Sequence, residues 1–207
     1  MTEQSAVFVL DDDPSVCASL ESLLGSEGHD VHVFGTAEAF IAAERPDLPG
    51  CMVLDVRLRR ESGLEVQREL GRRGIDLPIV FITGHGDVPM SVAAMKAGAI
   101  EFLLKPFRDQ DLLDAVNKGI AIDRARRERA ARMAELRDRF SALTPREREI
   151  MPLVAGGLLN KQIAGNLQLS EVTVKVHRAQ IMQKLRARSL PDLVRMADRL
   201  AADTARA

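Results

Sequence analysis

Four short apolar runs, each ending on a chemically distinctive side chain, constrain this chain more than any other feature. Ala6-Val7-Phe8-Val9-Leu10 runs into Asp11-Asp12-Asp13, Cys51-Met52-Val53-Leu54 ends on Asp55, Ile79-Val80-Phe81-Ile82 on Thr83, and Glu101-Phe102-Leu103-Leu104 on Lys105. Runs of this length and composition read as buried parallel strands. An open parallel sheet places its ligand site at the carboxyl ends of its strands. Carboxylates, a hydroxyl and an ammonium are therefore expected to meet at one edge of one sheet. Crowded carboxylates repel one another and call for a cation. Mg²⁺ suits them, because it takes one or two carboxylates and keeps several waters. The set reads as a site for a divalent cation and a phosphoryl group. No glycine-rich phosphate loop follows the first run, which disfavours nucleotide binding.

Helical patterns lie between the runs: 15–26, 37–43, 63–72, 89–96 and 110–122, with Gly28, Gly74 and Gly98 at helix stops. A weaker strand, 30–34, fills the second place. Strict alternation predicts an α/β fold with a doubly wound five-stranded parallel sheet over residues 1–120. Residues 120–140 contain no Pro and, after Gly119, no Gly; they are rich in strong helix formers and read as an extended linker helix over 121–141. Ile122, Ala125, Arg129, Arg132, Leu136 and Phe140 give it at best a thin apolar seam, which leaves open a solvated connector or a helix that pairs with another copy.

Residues 142–207 read as a second, all-α domain. Thr144-Pro145-Arg146-Glu147 is a capping box with Pro in the first turn. Asn160 is expected to cap a helix over 161–167, and Ser170 a longer one to Leu185. The stretch 160–177 fits a helix-turn-helix, with Ile163, Ala164 and Leu169 packed inside. Val172, Val176 and Ile181 can face the core, leaving Thr173, Lys175, His177, Arg178 and Lys184 for DNA.

Charge supports this division. The 207 residues carry a net charge of −1, but residues 1–118 hold 11 basic against 20 acidic side chains, and residues 141–207 hold 11 against 6. The tail, rather than the head, is expected to meet a polyanion. No apolar stretch approaches the roughly 18 residues of a membrane span. The N-terminus lacks a signal-peptide pattern, and Cys17 and Cys51 sit in apolar segments as two buried, reduced thiols. A soluble cytoplasmic protein without a membrane partner is expected.

Residues 6–120 resemble the receiver domain of bacterial two-component response regulators. The motifs are Val9-Leu10-Asp11-Asp12, Val53-Leu54-Asp55, Phe81-Ile82-Thr83-Gly84 and Leu104-Lys105-Pro106-Phe107, and Gly84-His85-Gly86-Asp87-Val88-Pro89 narrows the match to the FixJ-like subgroup. The resemblance implies that Asp55 is the phosphoacceptor. Asp12, Asp55, the backbone carbonyl of Arg57 and, through water, Asp11 would hold Mg²⁺ or Mn²⁺. Lys105 would balance phosphoryl charge, with Thr83 and Phe102 as a switch pair and a cis Lys105-Pro106 bond. Asp13 reads as a helix cap and His85 as a loop residue, since the donor histidine belongs to a sensor histidine kinase. The loop Arg57-Leu58-Arg59-Arg60-Glu61-Ser62-Gly63 departs from the usual pattern, which has Pro where Arg59 stands.

Leu143-Thr144-Pro145-Arg146-Glu147-Arg148-Glu149, Asn160-Lys161-Gln162-Ile163-Ala164 and Thr173-Val174-Lys175-Val176-His177 resemble the LuxR-type helix-turn-helix of the FixJ/NarL family. This implies promoter DNA as partner, with Lys175, Val176 and Arg178 as contacts, a homodimer on phosphorylation, and RNA polymerase as an open further contact. A magnesium-dependent phosphotransferase acting on a small molecule is disfavoured, because no spare segment can form a substrate pocket.

Overall fold

The computed structural model describes residues 4–59, 61–84 and 86–204. The chain divides into two compact units, 1–127 and 128–207. In the first, strands and helices alternate: β1 (Ala6–Leu10), α1 (Pro14–Ser26), β2 (Asp30–Phe34), α2 (Ala37–Ala42), β3 (Gly50–Asp55), α3 (Gly63–Arg72), β4 (Ile79–Thr83), α4 (Val88–Lys96), β5 (Glu101–Leu104), then α5 (Asp109–Ser141). The strands form one parallel sheet in the order β2-β1-β3-β4-β5.

The period of two along each strand sends side chains to two cores. Phe8, Leu10, Met52, Leu54 and Phe81 pack on one face with Phe40, Val66 and Leu70. Val7, Val9, Val53, Val80 and Ile82 pack on the other with Leu20, Leu24, Leu112 and Val116. Both faces are covered by helices, so the central strands are apolar throughout. The order in which strands are added reverses between β1 and β3, since β2 lies on one side of β1 and β3 on the other, and at such a switch point the carboxyl ends open a crevice. Cys17 and Cys51 are buried free thiols.

The expected helices over 110–122 and 121–141 are one continuous α5, because nothing between Asp109 and Ser141 interrupts it. It is anchored at Asp123, which is fully buried. The Asp123 carboxylate accepts hydrogen bonds from Gly50 N (2.9 Å), Arg126 Nε and Nη2 (3.0 and 2.7 Å) and Arg127 Nε (2.8 Å). The same arginines reach Asp76 and Asp47. Burial would raise this carboxyl, but its bonds to Gly50 and the two arginines hold it below the usual carboxylate range.

In the second unit α6 (Pro145–Ala155), α7 (Asn160–Leu167), α8 (Glu171–Leu185) and α9 (Leu190–Thr204) surround Leu143, Ile150, Val154, Ile163, Val174, Ile181, Leu185 and Leu193. The capping box at Thr144 and Glu147 is formed. Asn160 does not cap α7. It lies in the first turn, Leu159 occupies the cap position, and Gln162 Oε1 accepts from Leu159 N at 2.8 Å. The Gln162 side chain thus reaches back to the backbone of the cap residue, and no side chain at the cap position accepts from the first turn. Among the described residues no helix is long and apolar enough to cross a membrane.

Candidate functional site

At the switch point Asp11 follows β1 and Asp55 ends β3; they are 2% and 5% exposed. Lys105, just after β5, joins them: its Nζ donates to Asp11 Oδ2 at 2.7 Å and to Asp55 Oδ1 at 3.0 Å. The remaining oxygens are also engaged. Asp11 Oδ1 accepts from Asp13 N (2.9 Å), and Asp55 Oδ2 from Arg57 N (2.6 Å). Asp13 caps α1, accepting from Ser15 N at 2.8 Å, as expected. The Lys105-Pro106 bond is cis.

Electrostatics in the pocket run in two directions. Burial pushes the Asp55 carboxyl above its ordinary value, against the opposing pull of Lys105 and the Arg57 amide. Burial alone would lower the Lys105 ammonium, but its bonds to Asp11 and Asp55 raise it. The pairing thus favours the charged form of Lys105, while burial works against the charge on Asp55.

Thr83 ends β4, fully buried, at the same sheet edge. Phe102 on β5 is half-buried, 6.3 Å from the Phe81 ring. The loop after β4 passes close to both: a Cβ on Gly86 would come within 2.8 Å of Phe102 Cε1 and 3.1 Å of Thr83 Cγ2. Gly63 is constrained more severely, since a Cβ there would lie 2.3 Å from the Asp55 carbonyl oxygen. These two glycines belong to the site, and only their adjacency to the motifs hinted at it. His85 and Arg60 lie outside the described residues.

Asp12 stands at the rim, and its Oδ2 pairs with Arg59 Nε at 2.8 Å. Among the described residues no three His, Cys, Asp or Glu side chains converge as a ready-made metal cage. The donor set of Asp11, Asp12 and Asp55, all hard oxygen, nevertheless fits an ion that takes few protein ligands and keeps its waters.

In the second unit α7 ends on Gln168 in the left-handed conformation (φ 55°), and Ser170 caps α8, accepting from Thr173 N at 3.0 Å. Val174, Ile181 and Leu185 form the inner face of α8. Val172 and Val176, expected to be able to face the core, are 72% and 50% exposed instead. The helix is rotated so that they share the outer face with Lys175. Arg178 is half-buried and donates to the Leu158 carbonyl at 3.3 Å. His177 Nδ1 is buried and has no hydrogen-bond partner among the described residues. Lys184 departs from its expected place toward DNA. Its Nζ lies 2.7 Å from Glu147 Oε2, and Glu147 is 1% exposed. Lys184 follows Ile181 by three residues, about one turn, so its stem runs beside the inner face.

Comparison with known proteins gives these two sites a common context. The family described as response regulator receiver domain matches residues 7–117, and that described as bacterial regulatory proteins, luxR family, matches residues 141–197. The chain is a two-component response regulator. It combines a receiver with a LuxR-type DNA-binding domain and belongs to the transcription regulators rather than to the typical enzymes. It is 52% identical to nodulation protein W of Bradyrhizobium diazoefficiens over 95% of this chain and 87% of that protein. The structure of the response regulator StyR is 50% identical and superposes with a TM-score of 0.85, covering 94% of this chain and 98% of that one. Full-length FixJ from B. japonicum is 38% identical at a TM-score of 0.58, covering 97% and 99%.

Proposed function

We propose that Asp55 receives a phosphoryl group from the phosphohistidine of a sensor histidine kinase, and that this switches promoter binding by the tail. The observation that carries the reading is the Lys105 ammonium bridging Asp11 and Asp55 at the sheet edge where Thr83 ends β4. An Asp55 oxygen attacks phosphorus, the P–N bond to the kinase histidine breaks, and an acyl phosphate forms. Asp12, Asp55, the Arg57 carbonyl and, through water, Asp11 would hold Mg²⁺ or Mn²⁺, which when bound balances charge on the phosphoryl oxygens. Lys105 supplies the same service from the protein side, so the chemistry is positioning plus electrostatics. The receiver is read as assisting only its own phosphorylation and dephosphorylation, the latter by attack of water on phosphorus that returns the Asp55 carboxylate and releases inorganic phosphate.

Thr83 would then donate its hydroxyl to the new phosphoryl oxygen, and Phe102 would follow. Both residues border α4 and β5, whose outer face carries exposed Val88, Val92, Met95 and Leu104. Such apolar clusters mark interaction surfaces, and this one is read as the homodimer contact. The working division is receiver 1–120, linker helix 121–141 and DNA-binding domain 142–207. In the last, the outer face of α8 enters the major groove, with Lys175 and Val176 at its centre and Thr173 and Arg178 beside them. Exposed Val172 joins them, since apolar side chains there contact thymine methyls. A promoter-bound dimer in the cytoplasm can then meet RNA polymerase.

The test uses the full chain with acetyl phosphate and Mg²⁺, light scattering for mass, and duplex DNA obtained by selection from random sequences. Phosphorylated wild type should double in mass and bind the selected duplex more tightly, while Asp55→Asn should do neither. An equal response from Asp55→Asn would overturn the reading.

A further inference from the structure

Two protein cations already neutralise the acidic pocket. Lys105 serves Asp11 and Asp55. Arg59 serves Asp12, Nε to Oδ2 at 2.8 Å. The loop that presents Arg59 is closed at both ends: Arg57 bridges to Ser62, Gly63 N donates to the Val56 carbonyl at 2.9 Å, and Ser62 and Glu65 form the capping box of α3. The stretch is thus short and tied beside Asp55, so a long side chain at 59 reaches the rim. The Asp12 side chain is only 23% exposed, whereas that of Arg59 is 78% exposed. The guanidinium is therefore free to swing into solvent once its partner is taken.

We infer that Arg59 is a built-in competitor for the divalent cation: a metal ion that binds Asp12 must displace the guanidinium from it. The inference rests on the reading of Asp12 as a metal-holding residue. Two cations held by the two oxygens of one carboxylate repel each other and draw on the same negative charge, so the metal and the guanidinium weaken each other's hold on Asp12. The consequence is a weakened metal site, filled only at higher Mg²⁺, and an arginine released at the mouth of the pocket whenever the metal is bound. A proline at this position, as in the usual pattern, has no charge to offer Asp12 and no donor group.

The size of the effect follows from the exposure of the pair. Exposed ion pairs contribute little, so removing Arg59 should tighten metal binding about two- to fivefold, and less in high salt. Full-length wild type, Arg59→Gln, Asp12→Asn and the double variant are titrated with Mn²⁺, read from the free-ion paramagnetic resonance signal, and with Mg²⁺ by calorimetry. In parallel the Arg59 Nε–H resonance of ¹⁵N-labelled protein is followed. Arg59→Gln should bind both ions more tightly than wild type. The Arg59 resonance should move to its solvent-exposed position in Asp12→Asn without metal, and in wild type at metal saturation. The double variant should bind as poorly as Asp12→Asn. Equal affinity for wild type and Arg59→Gln, with Asp12→Asn still impaired, overturns the competition while leaving the metal reading standing. Undiminished binding by Asp12→Asn overturns both.

Discussion

Lys184 separates two accounts of the DNA-binding unit. As a DNA contact, its replacement would lower the salt dependence of binding by about one unit of slope and leave the fold alone. As the partner of Glu147 it has the opposite signature. Glu147 is 1% exposed, and its carboxylate accepts from Lys184 Nζ at 2.7 Å and from Thr144 N at 2.8 Å. Burial would raise this carboxyl, but Lys184 and Thr144 hold it below the usual range. Lys184→Met keeps most of the stem and removes the charge, leaving a buried carboxylate with one neutral partner. Breaking a fully buried pair costs about 3–5 kcal/mol. The Lys184 side chain is 34% exposed, so water softens the loss, and about 1–3 kcal/mol is expected. Urea unfolding of the full chain by circular dichroism reads the stability, and binding to a selected duplex at several salt concentrations reads the slope. The expected result is a destabilised unit with an unchanged slope. Full stability together with a slope reduced by about one would refute the reasoning.

Other outcomes follow from named groups. Asp123→Asn should destabilise the receiver by about 2 kcal/mol, the scale of hydrogen bonds to charged groups. The native carboxyl is depressed, so its contribution is present above the ordinary value of about 4 and fades as pH falls through the lowered native value; urea melts across that range should show the wild-type advantage shrinking. Val172→Ser should weaken the selected site by about 1 kcal/mol and lose its preference for thymine over uracil at the contacted position, whereas an equal loss on random DNA would place Val172 elsewhere. Val92→Asp should abolish the phosphorylation-dependent mass increase in light scattering while mass spectrometry still finds the phosphoryl group.

Much of this was legible because the pocket is built from strand ends. Short Val- and Ile-rich runs identify parallel strands, and the parallel sheet itself brings Asp11, Asp55, Thr83 and Lys105 to one edge. No tertiary detail was needed beyond that geometry. The parts that were not legible depend on rotation or reach. Whether Val172 or Val174 faces inward is set by the phase of α8, and in a helix with apolar residues at 172, 174 and 176 the sequence carries no phase. Lys184 is a long side chain whose partner lies 37 residues away. Arg59 was visible as a departure from the familiar loop, but its pairing with Asp12 depends on how the loop closes. Asn160 does not cap because α7 starts one residue earlier than expected, with Leu159 at the cap position and Asn160 inside the first turn.

The central claim is that one carboxylate, Asp55, carries the signal. Full-length protein and Asp55→Asn are incubated with acetyl phosphate and Mg²⁺, and intact mass is measured under conditions that preserve acyl phosphates. The account predicts a single added phosphoryl group on wild type, lost at alkaline pH, and none on the variant. The same mass gain on Asp55→Asn would contradict it.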